Sequence, residues 1–260
     1  MQPLYDAIGE TYTSTRRADP RITAEIGRHL GFRSNGRYLD LACGTGNYTR
    51  ALAAAGGHWH GADISEVMLA QARAKPSTVA WTRADTAALP FEDGSFDGVV
   101  CTLAVHHFGD LTAAFREVRR VLAGGRFVVF TGLPDQMAGY WLCHYFPTML
   151  ERSIAAMPSR ERYAAALASA GFARHAVIPF KVTTDLEDLF LYAGKQRPEL
   201  YLRADVRANI SSFAALADAD EVDRGLAALK ADVDSGRFAS IARRYDHDGG
   251  DYAFIVAAAE

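Results

Sequence analysis

Apolar positions in this chain fall into short runs that end at glycine or acidic residues, each followed by a stretch with helical spacing. Strand side chains alternate with period two and helical ones recur about every 3.6 residues, so this switching marks successive strand–helix units. The first run, Tyr38-Leu39-Asp40-Leu41, stops at Gly44 and Gly46 and gives way to the alanine-rich helical stretch 51–55. A second run, 59–64, contains Asp63 near its end, and Ser65 is placed to cap a helix over 66–73. The third, 78–85, ends in Asp85 and leads through a loop to a fourth strand over 96–103. Asp110 is positioned to cap a helix over 111–122 with its stripe on Leu111, Ala114, Phe115, Val118 and Leu122. Gly124-Gly125 reads as the end of that helix, with a fifth strand over 126–130. Upstream, 4–30 has helical spacing, and Pro20 after Asp19 predicts a fresh helix start.

Five such units predict an α/β fold, a doubly wound and mostly parallel sheet whose ligands sit over the carboxyl edge of the strands. After Gly132 the pattern changes. Residues 133–160 carry a dense aromatic and methionine cluster, and a helix over 161–171 precedes a sixth strand over 176–182. A helical insertion over 186–237 separates that strand from a last one over 252–256. The segment 133–160 leaves the fifth strand at its carboxyl end. Tyr140, Trp141, His144 and Tyr145 are therefore expected to wall a substrate pocket. The expected organisation is one domain over 1–260, with an N-terminal helical lid (1–30), a core (37–132) and two caps (133–160 and 183–250).

Composition narrows the function classes. With 260 residues, 49% of them apolar, the chain can bury a full core. A net charge of −3 supplies no basic field for a phosphate backbone, which argues against a nucleic-acid partner. Cys43, Cys101 and Cys143 lie far apart, without ligand spacing, and read as reduced thiols of a cytoplasmic protein. No run suits a bilayer span or a signal peptide, so no membrane insertion is expected. No His, Asp and Glu set has metal-ligand spacing, and no metal site is expected. Nothing here bears on the oligomeric state.

The glycine loop is the most informative stretch. Glycines permit a sharp turn and leave no Cβ between backbone and ligand, and the helix amides that follow are unsatisfied donors. The dinucleotide fingerprint needs a third glycine where Thr49 stands, and an acid precedes the pair instead, as Asp40-x-x-x-Gly44-x-Gly46. Asp63, about 20 residues past the first glycine, can accept both hydroxyls of a ribose. By itself it does not choose between adenosine cofactors. The next stretch, from Asp85-Thr86 through Leu89-Pro90-Phe91 to Ser95-Phe96-Asp97, supplies a third motif.

These three motifs together, over about 37–132, resemble class I S-adenosylmethionine-dependent methyltransferases, in particular the small-molecule, quinone-methyltransferase-like branch. The resemblance implies a Rossmann-like seven-stranded sheet with an antiparallel last strand and helical lid insertions. It implies a cofactor, S-adenosyl-L-methionine, with S-adenosyl-L-homocysteine as product, held by Asp40, Gly44, Gly46, Asp63, Asp85, Thr86 and Leu103. Ile64 and Met68 are expected beside its ring. The N-terminal segment resembles the family's lid, in which Tyr12 and Arg16 would close over the methionine end, Arg16 by a bidentate pair.

The implied activity is methyl transfer (EC 2.1.1 type) by in-line displacement to a small aromatic or hydrophobic metabolite. His106 and His107, after the fourth strand, are candidate general bases, with a loop hydrogen bond or solvent exposure as the plain alternative. Two other readings stay open: a cofactor-binding protein without transfer activity, and an NAD-dependent oxidoreductase. The acceptor atom is not legible.

Overall fold

The computed structural model describes residues 15–259; Tyr12 and the rest of 1–14 lie outside the described residues. Seven strands form one sheet in the order β3-β2-β1-β4-β5-β7-β6. These are β1 Arg37–Leu41, β2 His58–Asp63, β3 Ala80–Arg83, β4 Phe96–Thr102, β5 Leu122–Thr131, β6 Arg174–Phe180 and β7 Tyr252–Ala258. The first five strands pair in parallel, and β7 is antiparallel to both β5 and β6. This is the doubly wound sheet with a reversed last strand. Strand order changes direction between β1 and β4, which opens a crevice at their carboxyl ends.

The pleat divides the core. Leu39, Val99, Cys101, Phe127 and Val129 face one side, with Phe115 and Tyr163 from α4 (Leu111–Val121) and α8 (Arg160–Ser169). Tyr38, Val100, Val128, Phe130 and Phe254 face the other, against Ile22, Ile26 and Leu30 of α1 (Pro20–Leu30). The start of α1 matches expectation: Asp19 Oδ1 accepts from Arg21 N at 2.9 Å and Ile22 N at 3.1 Å, and Pro20 opens the helix.

One boundary differs from expectation. Gly124 and Gly125 do not end α4, which stops at Val121; they lie inside β5. A Cβ on Gly125 would stand 1.7 Å from the Asp97 carbonyl oxygen, so the glycine allows close approach of β4 at an irregular register.

The segments 133–160 and 183–250 pack on each other beyond the carboxyl edge. The first contributes α5 (Pro134–Met137), α6 (Leu142–Tyr145) and α7 (Pro147–Ala156); the second contributes, among others, α9 (Ala204–Ala208), α10 (Ser211–Ala215) and α11 (Ala219–Asp234). Tyr145 donates to Asp232 of α11 at 3.0 Å, and Glu221 accepts from Thr148 N and Met149 N, capping α7 from across the interface. Tyr140 stacks on Tyr192 with ring centroids 3.7 Å apart. Among the described residues, no helix is long and apolar enough to cross a membrane.

Candidate active site

β1 ends at Leu41, and the chain turns through 42–46 into α2 (Asn47–Ala53). Ala42, Gly44 and Gly46 all adopt positive φ (56°, 54° and 68°), a region that costs an L-side chain about 1–2 kcal/mol. The two glycines serve different purposes. A Cβ on Gly46 would fall 2.1 Å from the Trp81 ring, whereas one on Gly44 would meet nothing within 4 Å. Gly46 makes room for packing, and Gly44 exposes bare backbone to open space.

Three acids flank this loop. Asp63 takes Gly44 N on Oδ2 and, on Oδ1, the N–H of Ser65, the N-cap of α3 (Glu66–Arg73), each at 2.8 Å, which fixes its carboxylate. Asp85 is exposed and accepts from Ala87 N at 2.9 Å. Asp40 is buried; its Oδ2 accepts from Thr49 Oγ1 at 2.5 Å, and its Oδ1 is buried without a partner among the described residues. Burial pushes this carboxyl up to about 7, with the negative charge of Asp63 adding to the effect and the Thr49 hydrogen bond opposing it.

A cavity of about 240 Å³ lies over the crevice. Its lining includes Asp40, Gly44, Asp63, Ile64, Met68, Asp85, Thr86, Leu103 and Arg16. Ile64 is 49% exposed, an unusual state for isoleucine, and its free apolar surface faces this cavity. Gly46 does not line the cavity; it shapes the turn behind it.

A second cavity of about 220 Å³ adjoins the first, and the two share Arg16, Leu103 and His107. Leu103 follows β4 with φ 55°, a strained conformation that directs the chain at the boundary. Arg16 is already engaged. Its Nε and Nη2 donate to Asp188 Oδ1 and Oδ2 at 2.5 and 3.2 Å, and Tyr48 OH donates to Oδ2 at 3.1 Å. The expected pairing of Arg16 with a cofactor carboxylate therefore meets a competitor supplied by the second insertion.

His106 lines the second cavity and His107 lines both, in a 3₁₀ turn (Val105–His107) with ring centroids 3.9 Å apart. Desolvation holds both imidazoles below their usual range, His106 at about 3, with the neighbouring His107 and Arg16 pushing His106 further down. His107 is exposed to solvent, whereas His106 is half-buried. Both rings are neutral near pH 7. His106 Nδ1 is buried with no hydrogen-bond partner among the described residues.

The aromatic cluster is placed differently from expectation. Tyr140, Trp141 and Tyr145 are buried and line neither cavity, and His144 is exposed to solvent. Trp141 Nε1 donates to Lys195 O at 3.0 Å and Tyr140 stacks on Tyr192, which knits the two insertions together, while Tyr140 OH donates to Asp251 O just before β7. The second cavity is walled instead by Met137, Met157, Phe190, Leu191, Ile210 and Leu216. Met137 and Met157 belong to the aromatic and methionine segment 133–160. Phe190, Leu191, Ile210, Leu216 and Asp188 carried no local motif; only their position in the insertion after the sixth strand pointed toward them.

Residues 39–130 match the model of a methyltransferase domain family. The chain is 36% identical to a demethylmenaquinone methyltransferase of Thermus thermophilus, over 56% of this chain and 79% of that one. It is 43% identical to a malonyl-[acyl-carrier protein] O-methyltransferase of Erwinia pyrifoliae, over 38% of each chain. Among solved structures, a chain from Anabaena variabilis described as a methyltransferase of an antibiotic biosynthesis pathway superposes with a TM-score of 0.84. It is 36% identical, and the match covers 94% of this chain and 98% of that one.

Proposed function

The chain belongs to the class I S-adenosylmethionine-dependent methyltransferase family, and from that premise we propose that it methylates a small aromatic or hydrophobic metabolite. The observation that carries the reading is the line of Asp40, Asp63 and Asp85 along one cavity that adjoins a second, apolar one.

The residues fit the cofactor. Asp63, braced by two backbone amides, accepts the two ribose hydroxyls, and Asp85 accepts from the adenine amine. Ile64 and Met68 flank the ring with apolar surface. Asp40 Oδ1 lacks a partner, and the cofactor's ammonium is a donor of the charge that would hold this carboxyl ionised. Bound there, the cofactor supplies an activated methyl on a sulfonium.

Little chemistry is left to the protein beyond alignment and water exclusion. Leu103, Arg16 and His107 stand where the two cavities meet, so they set the approach of the acceptor. A neutral imidazole at His107 takes the acceptor's proton at a ring nitrogen as the acceptor oxygen loses its hold on it. With its basicity depressed, this ring does not ionise a phenol beforehand.

Calorimetry with S-adenosylhomocysteine tests the reading. Asp63→Ala and Asp85→Ala each remove a charged acceptor, with an expected loss of about 1.5–3 kcal/mol, or roughly 10- to 150-fold. Wild-type affinity in both variants would remove the cofactor assignment.

A further inference from the structure

We propose that the second cavity is the acceptor site and admits an uncharged single-ring compound whose hydroxyl faces His107; this rests on the methyl-transfer reading above. Its polar end is the end shared with the first cavity, where His107 and Arg16 stand. The residues that line this cavity and not the first include the apolar Met157, Ile210 and Leu216. Two buried serines there, Ser153 and Ser212, spend their hydroxyls on each other at 2.8 Å.

Charge is disfavoured. Among the described residues, the lining contains no aspartate, glutamate or lysine, and its one guanidinium, Arg16, is held by Asp188. A carboxylate or ammonium entering this space would be desolvated without a dedicated counter-charge.

Size is limited by rigid neighbours. A cavity of about 150 Å³ holds benzene, so 220 Å³ takes one ring with a few substituent atoms rather than a substituted bicycle. The wall at Phe190 is backed by Phe130 and Tyr252, with ring centroids 6.0 and 4.6 Å away, and does not recede. A ring compound with a hydroxyl matches both ends of this space: the ring meets the apolar walls, and the O–H meets an imidazole that is neutral and able to accept it.

The test is equilibrium titration of the protein loaded with S-adenosylhomocysteine, using 4-methylphenol, 4-methylbenzoate, 4-methylbenzylamine and 2-naphthol. The phenol is expected to bind, the two ions at least about 30-fold more weakly, and 2-naphthol about tenfold more weakly. Leu216→Ala, with Met157→Ala as a second variant should the first fail to fold, is expected to reverse the order of the phenol and the naphthol. With 1,4-dimethylbenzene titrated alongside, His107→Leu is expected to abolish the advantage of 4-methylphenol over this hydroxyl-free analogue. Equal binding of the ions, equal binding of 2-naphthol to the wild type, or no binding of any phenol would overturn the inference while leaving the methyl-transfer reading in place. Failure to take up S-adenosylhomocysteine would overturn both.

Discussion

Asp188 joins three stretches of chain that are remote in sequence, and replacing it with asparagine should expose that role. Its carboxylate is 1% exposed and its partner Arg16 12% exposed, so the pair is nearly as dry as the core. Removing one member of a buried pair costs about 3–5 kcal/mol, because the remaining charge is left uncompensated. Asparagine keeps one acceptor for the guanidinium or for Tyr48 OH, which returns about 1 kcal/mol. The net loss expected for Asp188→Asn is therefore about 2–4 kcal/mol, or roughly 5–15 °C in midpoint for a domain of this size. Thermal and urea unfolding would measure it, with Tyr48→Phe as a control that removes a neutral hydroxyl, the donor to Asp188 and the acceptor of Asp19 N, and leaves the ion pair in place. The cofactor supplies a second readout. An Arg16 released from Asp188 has its full charge available to the cofactor's carboxylate, so saturating S-adenosylhomocysteine should raise the midpoint more in Asp188→Asn than in the wild type. A loss below about 0.5 kcal/mol would refute the argument, since the pair would then contribute no more than a surface ion pair. An equal midpoint gain in both proteins would show that Arg16 does not reach the ligand.

The glycine loop makes a paired prediction: Gly46→Ala drives a methyl into Trp81 and should destabilise by about 2–4 kcal/mol. Gly44→Ala should cost only about 1 kcal/mol in urea unfolding, because its Cβ meets open space, yet weaken S-adenosylhomocysteine binding in calorimetry. Because the folded-state pKa of His106 lies at about 3 against 6.5 when unfolded, the folded chain binds fewer protons between these values. That part of the stability is present above pH 6.5 and is lost as pH falls toward 3, so His106→Gln should flatten the acid side of a stability–pH curve. Asp40 has the opposite sign: with its carboxyl raised from 3.8 to about 7, its stabilising protonation is lost as pH rises through 7. Asp40→Asn should accordingly raise the midpoint at pH 8, while weakening cofactor binding there because the ionised acceptor is gone; an unchanged midpoint and affinity would refute the burial argument.

Much of the core was legible because its signals are local. A strand, a glycine turn and a capped helix are each written in fewer than a dozen consecutive residues, so Asp40, Gly44, Asp63 and Asp85 could be placed at one rim from periodicity and the direction of parallel strands. Asp19 with Pro20 announced α1 in the same way. Local signals also misled where a residue's purpose depended on a distant neighbour. Gly124-Gly125 has the composition of a helix end, and only the approach of the Asp97 backbone makes it part of a strand.

The insertions mark the limit more sharply. An aromatic cluster on a cap can face a pocket or the cap's own interior, and no spacing rule separates the two, because both faces are apolar. Packing turned Tyr140, Trp141 and Tyr145 inward against 183–250 and brought Phe190, Ile210 and Leu216 to the second cavity. Asp188 sits 172 positions from Arg16, and their pairing exists only through the way the second insertion folds back over the glycine loop. The amino-acid order alone thus determined the sheet, its carboxyl edge and the three acids that line the first cavity, which follow from hydrogen bonding and backbone geometry over short distances. Tertiary structure decided the second cavity, the burial around its histidines and the partner of Arg16, since each depends on which remote side chains exclude water from the same point.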